Sequence, residues 1–442
     1  MIPKYAQVVL KILEDNGYEA YLVGGCVRDL LLDRIPNDYD IATNALPNQV
    51  KECFTKTIDT GIRHGTVTVV IGDDTVEVTT YRTEHGYSDG RRPDSVEFNC
   101  SLREDLARRD FTINAMAMDL RGSIVDPFNG EWDLEYQLLQ CVGDPDERFK
   151  EDKLRMLRAI RFICQLDFDM TMSTFDSIVK NRDGICEVSW ERIREELFKS
   201  LMAHPQHTMN TLQDTGLLYC IFPEFEHTLS FGQHNPYHRY QLYDHTVMSM
   251  QNEYVEHRVD LIITMMLHDL GKKYTQTFDE NGIAHYYHHA KESVKIAEKI
   301  LDRMRVSNDF KNKVLVLIGA HDMQFNGKRS IRKTLSKFGE DGLRDLFRVQ
   351  LADASAQTID HYEKRKIEIN EQLRLLDEVI ADQDCFKITD LAIRGNDLIA
   401  MGYTQGPEIG HVLNELFEMV LEDPSLNEKD NLIKIVRERY GL

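Results

Sequence analysis

The sequence predicts an α+β chain, with a small α/β head over residues 1–132 and a body that is helical almost throughout. Two observations predict it. Helix-period and strand-period apolar patterns alternate up to about residue 133, and only the helical period persists beyond it. The 442 residues also exceed one ordinary core, which favours several packed units. In order, the head reads as a helix over 5–16, a strand over 20–23, a helix over 27–32, a strand over 39–42 and a helix opened by Pro47. VTVVI (67–71) and TVEVTTYR (75–82) are strands joined at Gly72, Asp73 and Asp74, and HGYSDGRRPDS (85–95) is a polar loop.

Composition narrows the function classes. The content is 42% hydrophobic and 29% charged, with no apolar run near the roughly 20 residues that span a bilayer. The N-terminus lacks the pattern of a signal peptide, so a cytoplasmic protein without a membrane partner is expected. Eight scattered cysteines without a CxxC pair read as reduced side chains. A net charge of −21 argues against general coating of nucleic acid, so any such site is local. Two basic stretches qualify, 148–162 and 328–348, and solvated helix faces are the plain alternative for both.

The stretch YLVGGCVRDLLLDRIPNDYDIAT (21–43) carries the first chemistry. Gly24 and Gly25 sit where a strand passes into a helix, a turn that aims backbone N–H groups at an anion. Arg28 adds a planar fork for phosphate oxygens. Asp38 and Asp40, two apart on the expected strand, share a face and suit Mg²⁺. Cations held about 3.5–4 Å apart activate a hydroxyl and neutralise a leaving pyrophosphate. The same residues also fit a glycine used for geometry alone and a polar turn with Asp40 solvated.

GGxVRD followed by DxD(I)AT resembles the catalytic head of the tRNA nucleotidyltransferase and poly(A) polymerase family. VEVTTYR and LARRDFTINAMAMD (106–119) continue the resemblance, and DPFNG, VGDP, RFKEDKLRMLRAIRF and ERIREELFK follow in the family's order. It implies a polymerase-β-like head, with Arg109 on the nucleotide. In RRDFTIN, Asp110 is suited to a ribose hydroxyl. Surface pairing and helix capping are the alternatives for the two.

In EDKLRMLRAIRF, helical spacing sets Asp152 a turn before Arg155, with Arg158 and Arg161 following at intervals of three. Cytosine and adenine each present an amine donor beside a ring-nitrogen acceptor. An Asp acceptor beside an Arg donor matches that edge and opposes uracil and guanine. In the family this EDxxR element selects CTP and ATP without a nucleic-acid template; a plain Glu151–Arg155 ion pair is the alternative. The loop at 85–95, with Arg91, Arg92 and Asp94, falls where family members couple nucleotide choice to the state of the tRNA end.

A second constellation begins at HNPYHRYQLYDHT and continues through LHDLGKK, YYHHAKES, IGAHD and LADASAQ. His245, His268, Asp269 and Asp353 have the spacing of an HD-domain metal site, with His289 and His321 as further candidate ligands. Such N/O donors suit Mg²⁺, Mn²⁺, Fe or Ni. HD domains attached to nucleotidyltransferases can hydrolyse phosphate esters, so this copy is either active or a helical scaffold. His257 reads as a surface residue. The segment after 360 is helical by period, and Gly406, Pro407 and Gly410 lie in a turn resembling the family's tRNA-gripping tail.

The expectation is therefore a nucleotidyltransferase head (1–132), an all-helical neck (133–228), an HD domain (229–360) and a helical tRNA-contacting tail (361–442). Its expected activity is template-independent addition of CCA, or part of it, to the 3′ end of tRNA from CTP and ATP, releasing pyrophosphate. Asp38 and Asp40 would hold Mg²⁺, Gly25, Arg28 and Arg109 the phosphates, and Arg158 and Arg161 would orient the base reader or touch phosphate. Addition of A alone, poly(A) synthesis, and an HD phosphohydrolase with an RNA-binding head are the competing readings.

Overall fold

The computed structural model describes residues 2–86, 95–98, 100–382 and 386–440, in two compact units, Met1–Pro223 and Glu224–Leu442. In the first unit a seven-stranded sheet has the order Thr57–Gly61, Thr66–Ile71, Asp74–Thr80, Asp40–Thr43, Ala20–Val23, Ala117–Met118, Ile124–Val125. Only Asp40–Thr43 and Asp74–Thr80 run parallel; every other pair in this sheet is antiparallel. The register sets Val23 opposite Asp40, which brings the glycine turn after the first strand beside the carboxylates.

Helix Lys4–Asp15 exists because Ala6, Val9, Leu10 and Leu13 form one apolar stripe, all fully buried. Gly72 and Asp73 make the tight turn between Thr66–Ile71 and Asp74–Thr80, with Gly72 at φ 65°. Beyond the sheet, Arg155–Leu166 buries eight of its twelve residues and packs on Trp190–Ala203 and Pro205–Asp214. Leu138–Leu139 and Asp169–Met170 form a short parallel pair, a strand interruption in the expected helical neck. It satisfies loop backbone: Asp169 N donates to Gln137 O and Thr171 N to Leu139 O.

In the second unit Val259–Leu267 is buried on every side from Leu261 onward, as a central helix must be. Leu242–Met250, His289–Arg303, Asn308–Ala320 and the long helix Gly327–Ser355 contact it. The long helix breaks at Gly339, where φ is 69°. Toward the C-terminus, Leu398, Val412, Leu416, Val420, Leu432 and Val436 build a separate apolar cluster.

The polar loop is flanked by a hairpin, Thr83–His85 with Ser95–Glu97. Arg91, Arg92 and Asp94 lie outside the described residues.

Candidate active site and metal cluster

The strand expected over 39–42 begins at Asp40, so Asp38 lies exposed in the segment before it. Buried Tyr39 points into the core between them, which turns both carboxylates to the opposite side. Burial raises the Asp40 pKa to about 6, with the charges of Asp38 and Glu77 adding and Arg109 opposing. This crowded oxygen-only pair is short of positive charge, which is what a hard divalent cation supplies.

Gly24 has φ 76°, and a Cβ there would meet Arg109 Nη1 at 3.0 Å. A glycine therefore lets Arg109 lie against the backbone of the turn. Gly25 opens the seven-residue helix Gly25–Leu31. Arg28 is pinned, donating from Nε and Nη2 to Asp29 Oδ1 at 2.9 and 2.7 Å and from Nη1 to Asn114 Oδ1 at 2.8 Å.

The reading of 151–162 as one helix is corrected. Pro145–Glu151 ends at Asp152, which is extended at φ −141° and ψ 105°, and a new helix starts at Arg155. Asp152 breaks the helix because its own Oδ1 accepts the Leu154 N–H at 3.0 Å, capping the next segment locally. Asp152 is held by Arg192, with Nη1–Oδ1 at 3.2 Å and Nη2–Oδ2 at 2.7 Å. Arg155 pairs with Glu151 at 2.5 Å and donates to Arg108 O at 3.0 Å, so the plain ion pair is present too.

Asp110 is 7% exposed. Its Oδ2 accepts from Arg158 Nε at 2.8 Å, and its Oδ1 from Phe111 N at 2.9 Å and Asn114 Nδ2 at 3.2 Å. Burial alone would raise its pKa, but Arg158 pulls it down to about 2. Arg161 pairs with Glu196 at 2.5 Å, and its guanidinium lies 4.2 Å from the centre of the Phe162 ring. Gly25, Arg28, Asp38, Asp40, Arg109, Asp110, Asp152, Arg155, Arg158 and Arg161 all line one cavity of 560 Å³. Sequence reasoning gave no role to Arg108, Asn114 and Arg192, which line it, nor to Glu196; Arg192 and Glu196 sat in the quoted ERIREELFK.

Comparison with known proteins gives the family. The family model of the poly A polymerase head domain matches residues 20–140. The models described as the probable RNA and SrmB-binding site of polymerase A and as tRNA nucleotidyltransferase domain 2, putative, match 167–229 and 276–436. A CCA-adding enzyme of Lactobacillus helveticus is 37% identical over 436 residues, 98% of this chain and 96% of the relative. The chain belongs to the CCA-adding enzyme family. A second member, from Pediococcus pentosaceus, is 35% identical over 98% of this chain and 96% of its own length. Among solved structures, the Bacillus stearothermophilus CCA-adding enzyme in complex with CTP aligns at a TM-score of 0.73 with 29% identity, covering 100% of this chain and 99% of that one. The Thermotoga maritima CCA-adding enzyme complexed with tRNA shares the fold, at a TM-score of 0.62 and 19% identity over 99% of this chain and 96% of that one.

A second cluster of this CCA-adding family member lies within the Glu224–Leu442 unit. His245, His268, Asp269 and Asp353 bring ligand atoms within 4.8 Å of one another, and Asp269, His289 and His321 form a second such group. The signal was the spacing; the element order delivers it. His268 ends Val259–Leu267, His289 opens His289–Arg303, and His321 ends Asn308–Ala320. Burial opposes charge on His268, yet Asp269 and Asp353 beside it raise its pKa to about 10. Among the described residues, His268 Nε2 and Asp269 Oδ1 are buried without a hydrogen bond, whereas Asp269 Oδ2 has Lys272 Nζ at 2.6 Å. Orphaned donors and acceptors of this kind fit a cation-binding centre. Lys272, 5% exposed and 2.6 Å from Asp269 Oδ2, was not singled out in the sequence, nor was half-buried His238, whose ring lies 5.2 Å from that of His245.

The basic stretch at 328–348 is ion-paired within its unit: Lys328 with Asp382, Arg329 with Glu422, Lys333 with Glu418 and Arg344 with Asp377. Gly406 precedes helix Pro407–Glu422, and a Cβ at Gly406 or Gly410 would meet open space. His257 is exposed, beside Glu256. Among the described residues, no helix is long and apolar enough to cross a membrane.

Proposed function

We propose that the chain adds CCA to the 3′ end of tRNA from CTP and ATP, with Asp38 and Asp40 as ligands of Mg²⁺. The single observation that carries the reading is the convergence of these carboxylates with Arg28, Arg109, Asp152 and Arg155 on one cavity, in a chain 37% identical along its length to a CCA-adding enzyme. Relatives solved with CTP, with ATP and with tRNA support the substrates.

The tRNA 3′ oxygen bonds to the α-phosphorus, the α–β bridging P–O bond breaks, and pyrophosphate departs with the electron pair while the hydroxyl proton passes to solvent. Mg²⁺, when bound, supplies charge neutralisation and lowers the pKa of the attacking hydroxyl. Arg28 and Arg109 meet the triphosphate, and Gly24 and Gly25 leave room for its approach. Asp152 and Arg155 read the amine and ring nitrogen of cytosine or adenine, with Arg192 orienting Asp152. Asp110 and Arg158, paired with each other, form the floor against which the sugar is set. Positioning and charge do the work, and no side-chain nucleophile is needed.

The four-part division at 132, 228 and 360 and a cytoplasmic location, where tRNA is processed, belong to the same proposal. A second reading, additional phosphate-ester hydrolysis by the second unit, is favoured by the buried His/Asp cluster. The decisive assay offers purified protein a tRNA ending at the discriminator base or at CC, with each NTP separately. Incorporation of C, C and then A supports the reading; A alone, long A tails or no incorporation overturns it.

A further inference from the structure

We propose, on the reading of this cavity as the CTP and ATP site, that Phe162 is a positioning residue whose ring face holds Arg28, Arg158 and Arg161 in one array. The guanidinium carbons of these arginines lie 5.1, 5.4 and 4.2 Å from the ring centroid. Phe162 is buried and lines the cavity together with all three. One side chain of helix Arg155–Leu166 thus meets two arginines of its own helix and the triphosphate-binding Arg28 of helix Gly25–Leu31.

Three like charges around one ring repel, and each has a carboxylate partner. Arg28 Nη2 pairs with Asp29 Oδ1 at 2.7 Å, Arg158 Nη2 with Asp110 Oδ2 at 2.5 Å, and Arg161 Nε with Glu196 Oε2 at 2.5 Å. The carboxylates sit on different segments, whereas the ring is common to all three arginines. An aromatic face carries partial negative charge and attracts a guanidinium with no change of protonation. Burial pushes the Arg161 pKa down, against the pull of Glu196, and the charge of Arg158 adds to the fall. Arg161, nearest to the ring, is therefore the cation that gains most from it.

Phe111 sets the tilt of the ring. Fully buried, it meets Phe162 edge to face, with centroids 5.6 Å apart and planes at 81°. Phe111 follows Asp110, whose Oδ2 accepts from Arg158, so one turn fixes both the ring and one of its cations. A side chain kept only for volume would need no such face. Weakening the face while keeping the volume frees the arginines that receive the nucleotide and leaves the phosphoryl transfer itself unchanged.

The test replaces Phe162 in the full chain by mono-, di- and trifluorinated phenylalanine, which withdraw charge from the ring face stepwise and keep its shape. KM for CTP and ATP should rise at each step, to about tenfold with three fluorines, while kcat stays within about twofold. The CTP dissociation constant without tRNA, read by calorimetric titration, should rise in parallel, with Tm steady to within about 3 °C. In an Arg161→Gln background the dependence on fluorine should fall by roughly half, because the nearest cation is gone. A flat series, a fall in kcat alone, a loss of Tm in step with KM, or an undiminished dependence in the Arg161→Gln chain overturns the proposal. If Arg161→Gln does not unfold cooperatively, the series in the parent chain decides alone. A parent chain that binds CTP without incorporating it overturns the CCA-adding reading, and the dissociation constants then decide for Phe162. A parent chain that does not bind CTP overturns both.

Discussion

Arg158, in the first turn of helix Arg155–Leu166, donates from Nε to Asp110 Oδ2 at 2.8 Å, tying the neck to the buried carboxylate that follows Arg109. This pair joins two sequence motifs 48 residues apart, and its removal tests how far site and stability are coupled. Arg158→Ala leaves Asp110 buried without its partner and is expected to cost about 3–5 kcal/mol. Adding Asp110→Asn should recover much of that loss. Urea unfolding of the two single variants and the double variant measures the coupling, and additive effects would refute it. The Asp110 pKa is depressed from 3.8 to about 2, so its contribution is full above about 4 and is lost as pH falls through about 2.

Asp38→Ala and Asp40→Ala should each lower CTP incorporation by about a thousandfold, the equivalent of several kcal/mol of charge stabilisation. Affinity for tRNA, read by filter binding, should change little. Wild-type incorporation in either variant would remove the carboxylates from the chemistry.

The raised Asp40 pKa has a stability sign opposite to that of Asp110. Its folded value, about 6, exceeds the ordinary 3.8, so its ionisation opposes folding increasingly between about pH 4 and 6 and by a constant amount above that. In metal-free protein at pH 8, Asp40→Asn should therefore stabilise by on the order of 1 kcal/mol, or roughly 2–4 °C in Tm, with little effect at pH 4. Mg²⁺ should raise the Tm of the wild type and not of the variant. A variant less stable than wild type at pH 8 without metal contradicts the assignment.

Asp152→Ala should lower discrimination of CTP against UTP by at least about tenfold, since the amine edge loses its acceptor. Arg192→Ala, which frees Asp152 without removing it, should raise KM for CTP and ATP more than it lowers kcat. Steady-state kinetics with all four NTPs distinguishes the two effects. Equal CTP/UTP ratios in wild type and Asp152→Ala would exclude this residue as a base reader.

Much of the head was legible in the sequence because its cues are local. The strand at Ala20–Val23 is recovered at the same limits, and the helix opened by Pro47 runs to Cys53. The strand Thr57–Gly61 was missed: its residues are mostly exposed at the sheet edge, so no buried alternation marks it. The break at Asp152 was missed because helical periodicity on both sides bridged a local cap that only the Asp152–Leu154 hydrogen bond reveals.

By itself the sequence determined the inventory: an α/β head, a helical body, the DxD carboxylates, the arginine-bearing motifs and the ordered H…HD…D set. Only the tertiary structure decided the partnerships, that Asp110 is held by Arg158, Asp152 by Arg192, and that Asp269 turns one oxygen toward each histidine pair. The physical reason is range. Periodicity and capping act over a few residues, whereas these contacts join segments tens of residues apart, and packing of the whole chain selects them.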